Sequence, residues 1–445
     1  MKVKRIWAWL LVLTLLCGIL PCALAEQPEA PAISAYDVSY TQDGFLFETS
    51  AGSAVYCYDC ASGQRKALCS HPGCDHRPVE EIDMNEYHYS VPEFMNENPS
   101  LCYAARIACV SNTDARVMYQ NKLYFFPTFY NGFEMGNHAV PLCVSEVEGE
   151  TRMLTDLRSL FPEAYDPYAE AAVGYDGNLY YVFRLYEKKP VEGEQSIDPD
   201  PGLPFGSILL VKCSMDNGAA TVLETFAAES NDLHFLGLYD GVLYYLISIA
   251  DGIGPTETDD DYYNELRRKT RYSVQGINVK TGEKILPDSR LCDRKLPYGD
   301  VFDIVKNGML YSIVLPESSE DRTALFLKYD LVRRETVLEY PFEYFETDFY
   351  PYRVLTDEIM LAFNFETGTF ALRNLKTGEI KPLAIPGACI YGNSQTDWYD
   401  IFAANFQTDP IILDHRLSET EVDKAYVTAE ELLTGNPQVH DFTDQ

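Results

Sequence analysis

The chain has 445 residues, 46% hydrophobic and 23% charged, the balance of a folded globular protein rather than a disordered one. Its formal net charge of −33 repels phosphate backbones and anionic surfaces, so nucleic acid is not an expected partner. Tyrosine, at 32 residues, is unusually frequent and suits half-buried strands whose outer ends meet water.

Residues 1–25 read as a secretory signal peptide. Lys2, Lys4 and Arg5 form a basic start, Ile6 to Leu20 an apolar core, and Ala23-Leu24-Ala25 a cleavage site with small residues. The apolar run is shorter than the ~20 residues a membrane span needs. An uncleaved anchor is the competing reading. Leu16 before Cys17 and Pro21 before Cys22 argue against a lipid-modified cysteine. Cleavage removes three basic residues and no acidic ones, taking the charge from −33 to −36. The expected product is extracytoplasmic or secreted, with no membrane span after cleavage. Residues 26–35 read as a short linker and 436–445 as a polar tail.

Between them, a turn pair followed by an apolar-aromatic run keeps returning. It reads Asp43-Gly44-Phe45-Leu46-Phe47, Gln120-Asn121-Lys122-Leu123-Tyr124, Asp176-Gly177-Asn178-Leu179-Tyr180, Asp240-Gly241-Val242-Leu243-Tyr244 and Asn307-Gly308-Met309-Leu310-Tyr311. Worn copies follow at Asp357 to Leu361 and Trp398 to Phe402. Asp-Gly and Asn-Gly favour the primed turns of two-residue hairpins. A second turn follows in most units, as at Ser62-Gly63, Asn217-Gly218, Thr281-Gly282 and Thr377-Gly378; near Arg334-Glu335 its glycine is missing. Two hairpins per repeat of roughly 40 to 65 residues make a four-stranded propeller blade. The fold class is therefore all-β: a single β-propeller over residues 36–435, with about seven four-stranded blades rather than six or eight. Unit starts fall near residues 36, 112, 171, 234, 301, 350 and 388. No Pro/Ser/Gly-rich linker divides the repeats, which favours one ring over separate sandwich domains.

Helical periodicity is scarce; Leu154 to Leu160 and Thr428 to Leu433 fit a turn or two. Insertions interrupt the blades at 82–100, 187–206 and 250–268, and loops of that length are functional or disordered. Ten cysteines follow residue 25, and six of them lie in a Cys-rich insertion of the first blade, residues 57–109. The sharpest stretch is Cys69-Ser70-His71-Pro72-Gly73-Cys74-Asp75-His76. Thiolates and an imidazole at close spacing suit tetrahedral zinc, and Cys69, Cys74, His76 and a returning Cys102 would make a closed structural site. A disulfide is the other reading, because exported chains meet oxidising surroundings. Either cross-link recovers part of the closure entropy of the polar stretch from Arg77 to Leu101. Cys57-Tyr58-Asp59-Cys60 is a weaker signal, since on a strand its two thiols face opposite ways.

The blade phrase, Cys69-x4-Cys74-x-His76 and Cys102-x-Ala104 together resemble a family of exported propeller proteins of unknown function from Firmicutes and related gut bacteria. That family is itself similar to the propeller of low-density lipoprotein receptor-related proteins. The segment Ala425 to Gly435 is similar to the end of such chains. The gap from His76 to Cys102 is longer than is usual there, and the receptor's Tyr-Trp-Thr-Asp phrase is absent. The resemblance implies a propeller and brings no activity.

Catalytic arrangements are thin. There is no Gly-x-Ser-x-Gly elbow, Walker loop or dinucleotide fingerprint. Asp259 and Asp261 sit in a run of acid and read as a solvated loop, with calcium as the alternative. His138 and His234 read as structural. The expected function is non-catalytic binding of an extracellular glycan, peptide or protein. A polysaccharide lyase or hydrolase on the same propeller is the alternative.

Overall fold

The computed structural model describes residues 32–35, 38–40, 44–48, 54–76, 91–111, 115–127, 140–161, 166–186, 205–226, 230–250, 268–294, 304–314, 323–343, 350–364, 369–385, 398–401, 410–417 and 422–444. Residues 1–25, read as a signal peptide, the Asp259–Asp261 run, His138 and most of the insertions 187–206 and 250–268 lie outside them. Successive antiparallel hairpins build seven four-stranded sheets arranged as a seven-bladed β-propeller. The first strands of the blades begin at Val38, Val117, Asp166, Ser230, Ile304, Tyr350 and Trp398, near the starts read from the repeat phrase.

Two turn types generate each blade. In blades two to five the turn between the first and second strands has both central residues at positive φ: Gln120 and Asn121 (49° and 60°), Asp176 and Gly177 (49° and 67°), Asp240 and Gly241 (48° and 70°), Asn307 and Gly308 (51° and 75°). That is the type I′ turn expected of these residue pairs. The turn between the third and fourth strands is also recurrent. Asp59, Asn278, Asp330 and Asn374 each accept, on Oδ1, the backbone N–H groups two and three residues on, at 2.8–3.2 Å. The fifth residue returns its N–H to the first carbonyl at 2.8–2.9 Å and lies at positive φ. That residue is Gly63, Gly282 and Gly378 in three blades and Arg334 in the fourth, at φ 57°. The two turns interlock, because Val279 N–H donates to Gly241 O and Leu331 N–H to Gly308 O, at 2.9 and 3.0 Å.

The described core divides into seven hydrophobic clusters, one at each seam between neighbouring blades. Their sizes differ. The seam between blades two and three holds 19 buried residues. The seam that closes the ring, between blades seven and one, holds four: Phe45, Tyr58, Ile412 and Phe442.

Both chain ends differ from the sequence expectation. Ala32–Ala35, read as linker, is a strand that runs antiparallel to Val38–Tyr40 of blade one and to Asp166–Tyr175 of blade three. Residues read as a tail carry two more strands. His440–Asp441 completes blade seven, and Thr443–Asp444 then crosses to pair in parallel with Gln64–Ala67 at the outer edge of blade one. The physical reason is Phe442, which is 5% exposed and packs edge-on against Phe45 and Tyr58. One buried aromatic in a polar stretch anchors the chain end.

Two helices in the first insertion also went unforeseen. α1 (Val91–Glu97) buries Val91, Phe94 and Met95, and α2 (Tyr103–Val110) buries Tyr103, Ala104, Ile107 and Val110. Both faces show the i, i+3/i+4 spacing of a short amphipathic helix. They pack into the seam between blades one and two. Asn96 of α1 fixes this placement by imitating a strand: its side chain donates to Thr151 O at 2.7 Å and accepts from Thr151 N–H at 2.9 Å. α2 is tied by Tyr103, whose hydroxyl donates to Ser145 Oγ at 2.7 Å. Elsewhere, Leu157–Leu160 forms one 3-10 turn, and α3 (Ala429–Thr434) forms with a capping box between Thr428 and Glu431.

Candidate metal centre

The chain leaves the outer strand of blade one at Ala67 and turns at once. Cys69 N–H bonds to Ala67 O at 2.6 Å, which swings Cys69 off the strand direction. His71-Pro72-Gly73-Cys74 then forms a turn closed by Cys74 N–H to His71 O at 3.1 Å, with Gly73 at φ 75°. Pro at the second position and a positive-φ Gly at the third are the requirements of a type II turn. This reversal brings Cys74 back beside Cys69. His76 itself sits at φ 50°, which turns its ring inward. The fourth residue comes from α2: Cys102 is its N-cap, and its carbonyl accepts from Arg106 N–H at 3.0 Å.

Cys69, Cys74, His76 and Cys102 converge, with one donor atom from each lying within 4.8 Å of the others. His76 Nδ1 is 3.4 Å from Cys102 Sγ. Bonds of ~2.0–2.3 Å to a tetrahedral ion give edges of roughly 3.3–3.8 Å between donors, so that separation is an edge of such a polyhedron. A disulfide would use two sulfurs and give the imidazole no role. Cys69 is buried and the other three are half-buried. The four residues are therefore a donor set that could hold a metal ion, located at the seam between blades one and two rather than inside blade one. Cys57 and Cys109 pack against the edge of this seam and Cys60 against the closing seam, outside the donor set.

The surroundings fit a charged centre. Burial, with the neighbouring Cys74 and Cys69, pushes the Cys102 thiol up to about 12, while the N–H of Ala105 in the first helical turn opposes the rise. A divalent cation is the charge this pocket wants, since a metal-bound thiol is deprotonated outright. Arg106, 6% exposed, lies one turn along α2 beyond Cys102; it donates to Met95 O and stacks 5.6 Å from the Tyr103 ring. It adds buried positive charge near the thiols. Glu148, in the turn between the third and fourth strands of blade two, accepts from both the N–H and the hydroxyl of Ser70. Burial alone would raise its carboxyl, but the bonds from Ser70 and the nearby His71 hold it below the usual range. The knuckle of blade one is thus clamped by a carboxylate of blade two.

Sequence reasoning named the four donors. It placed His71 in the same stretch but outside the donor set, and it missed Glu148, because nothing in the spacing of a hairpin turn 78 residues away announces a contact with Ser70.

No protein-family model matches the chain, and no curated protein does. Solved structures similar to it include an oligogalacturonate lyase in complex with manganese, at 10% identity, with a TM-score of 0.39 and 93% of each chain covered. A second is an ulvan lyase from a new polysaccharide lyase family, at 11% identity and TM-score 0.40, covering 92% of this chain and 96% of that one. A third is an oligogalacturonate lyase from Vibrio parahaemolyticus, at 10% identity and TM-score 0.36, covering 74% of this chain and 77% of that one. At such identities and TM-scores the likeness says nothing of this chain's activity, and the fold rests on its own sheets. Of the resemblance read from the sequence, the seven-bladed propeller is what the structure bears out; no comparison supports the Firmicutes or receptor-related family.

Proposed function

We propose that the protein is a non-catalytic extracytoplasmic binding propeller whose first seam is pinned by a structural metal, zinc being the ion this donor set suits. The observation that carries the metal reading is the convergence of Cys69, Cys74 and His76 of one turn with Cys102 from a separate chain segment. Three thiolates and one imidazole leave no open position on a tetrahedral ion, which is the mark of a structural site and not a catalytic one. The ion would cross-link the knuckle after blade one to the start of α2, and so order the insertion that fills the seam. The binding role rests on the propeller architecture, the lack of a recognisable catalytic set in the sequence, and an abundance of tyrosine suited to stacking on sugars or peptides.

Two measurements test the proposal. Metal analysis of protein purified without oxygen is expected to find one or more equivalents of zinc, and less than a quarter-equivalent of zinc or iron would end the metal reading. Incubation with glycans and peptidoglycan fragments, followed by product analysis, is expected to show binding without turnover; any cleaved product would favour a polysaccharide-active enzyme instead.

A further inference from the structure

Cys69 belongs to a second group of donors that the closed site leaves unused. Its sulfur lies 3.8 Å from His71 Nδ1, and His71 Nδ1 lies 3.5 Å from Glu148 Oε1. One donor atom from each of the three lies within 4.8 Å of the others. These separations again match the edges of roughly 3.3–3.8 Å expected around an ion with bonds of ~2.0–2.3 Å. Exposure separates the two groups: the His71 side chain is 60% exposed, so the second group faces water. Its carboxylate is aimed in advance. Glu148 sits at φ 60° in a tight turn and is held by the N–H and hydroxyl of Ser70, the residue between the other two donors.

Charge points the same way. One divalent ion in the closed site leaves three thiolates and the Glu148 carboxylate with an excess of negative charge that Arg106 only partly offsets. A thiolate sulfur has lone pairs enough to bond two ions at once.

We propose that Cys69 bridges two metal positions. The inner one is the closed site of Cys69, Cys74, His76 and Cys102, and this inference rests on that reading. The outer one is held by Cys69, His71 and Glu148, takes a zinc-like divalent ion, and completes its shell with water. Three protein donors plus an open position make an exchangeable site, whereas four protein donors make a closed one. The outer ion is therefore the one that enters and leaves, and it is the position at which a ligand carboxylate or imidazole could reach metal.

The test compares the full chain with His71→Ala and Glu148→Gln. His71 is largely exposed, and Gln keeps an acceptor for Ser70, so both variants retain the fold; circular dichroism checks this. Each protein is prepared without oxygen, dialysed against buffered free zinc, and assayed for bound metal and for the rate of release to a chelator. The expected result is two equivalents in the parent, one released at least tenfold faster than the other. Each variant is expected to keep one equivalent and to lose the fast phase. Cobalt substitution gives a second readout: thiolate-to-metal absorbance should rise more for the first equivalent, which meets three sulfurs, than for the second, which meets one. One equivalent in the parent, unchanged in the variants, overturns the outer position and leaves the closed site standing. Two equivalents that persist in both variants place the second ion elsewhere and overturn it as well. No bound metal in any of the three is the separate failure of the closed site.

Discussion

Arg65 in the first blade and Asp423 in the seventh, 358 residues apart, form an ion pair across the seam that closes the ring. Tyr58, which is fully buried, donates its hydroxyl to the same carboxylate at 2.9 Å. Arg65 also reaches Asp444 of the last strand at 2.6 Å, but that carboxylate is 74% exposed. The pairing matters because the closing seam has the smallest described hydrophobic cluster, so polar contacts carry more of its cohesion. Asp423→Ala should therefore cost about 2–4 kcal/mol, since it strips a partly buried guanidinium and a buried phenol of their shared partner. Asp444→Ala should cost under about 1 kcal/mol, as exposed pairs do. Urea denaturation midpoints rank the two; equal effects would mean that the ion pair does not hold the seam.

Phe442 is the apolar half of the same closure. Removing its ring should cost about 3–5 kcal/mol, the range for truncating a buried phenylalanine. The loss should be local before it is global. In a chain beginning at Glu26, Trp398 is the sole tryptophan, and it lies on the first strand of blade seven. In Phe442→Ala, Trp398 fluorescence should change at lower urea than far-ultraviolet circular dichroism does. Coincident transitions would show that the ring does not open at this seam first.

The turn at Arg334 offers a prediction on backbone alone. In blades four and six the matching residues, Gly282 and Gly378, have positive φ, and the space that a β-carbon would occupy is open, with no atom within 4 Å. Arg334 adopts the same left-handed conformation at φ 57°. An L-residue there costs about 1–2 kcal/mol, of which the extra freedom of unfolded glycine takes back part. Arg334→Gly should thus stabilise by roughly 0.5–1 kcal/mol, and Gly282→Ala should destabilise by about 1 kcal/mol. Thermal melts of the two variants check the signs, and a destabilised Arg334→Gly would mean the side chain has a role that outweighs the strain.

The blade repeat was legible because type I′ turns are demanding: only a few residue pairs tolerate two positive φ values, so Asp176-Gly177 and Asn307-Gly308 stay recognisable while the strands drift. The Asx residue that opens the other turn, such as Asn278 or Asn374, was equally constrained, but it lies four positions before the glycine that drew attention. The grouping of Cys69, Cys74, His76 and Cys102 was legible from residue type. Their place between two blades was not, because the seam is made by α1 and α2, whose apolar faces are carried by as few as three residues, as in Val91, Phe94 and Met95. The closing strand was hidden for a similar reason. Its anchor is a single aromatic, and pairing between residues 64 and 443 leaves no mark in either segment alone.

Under the proposed metal reading, chelation should loosen one seam and leave the others. The helix α2 would be held at its start by the ion on Cys102, and it is tied in its first turn by Tyr103 through Ser145, which also accepts from Thr151 Oγ1 at 2.8 Å. Hydrogen exchange on chelated protein should show faster exchange in residues 68–76 and 102–110, with blades four to six unchanged. His76→Ala should reproduce the pattern without a chelator. Uniform loss of protection around the ring would contradict a seam-specific role.

The last prediction concerns alkaline pH. Burial alone pushes the thiols of Cys143 and Cys213 from 9.0 up to about 12, and both residues are fully buried. A raised thiol pKa means that the folded state holds the proton more tightly than the unfolded state does. Between about 9 and 12 the native chain therefore binds more protons, and stability falls as pH rises. Each thiol contributes a slope of up to about 1.4 kcal/mol per pH unit inside that window and none below it. Neither residue belongs to the metal donor set, so the effect should persist in His76→Ala. The check is a series of urea denaturations from pH 8 to 11 on Cys143→Ala, Cys213→Ala and the double variant. Each substitution costs stability through the cavity it leaves, at every pH. Beyond that constant offset, each should flatten the decline above pH 9, and the double variant should flatten it most. Parallel stability curves for the parent and all three variants would show that these buried thiols do not drive the alkaline loss.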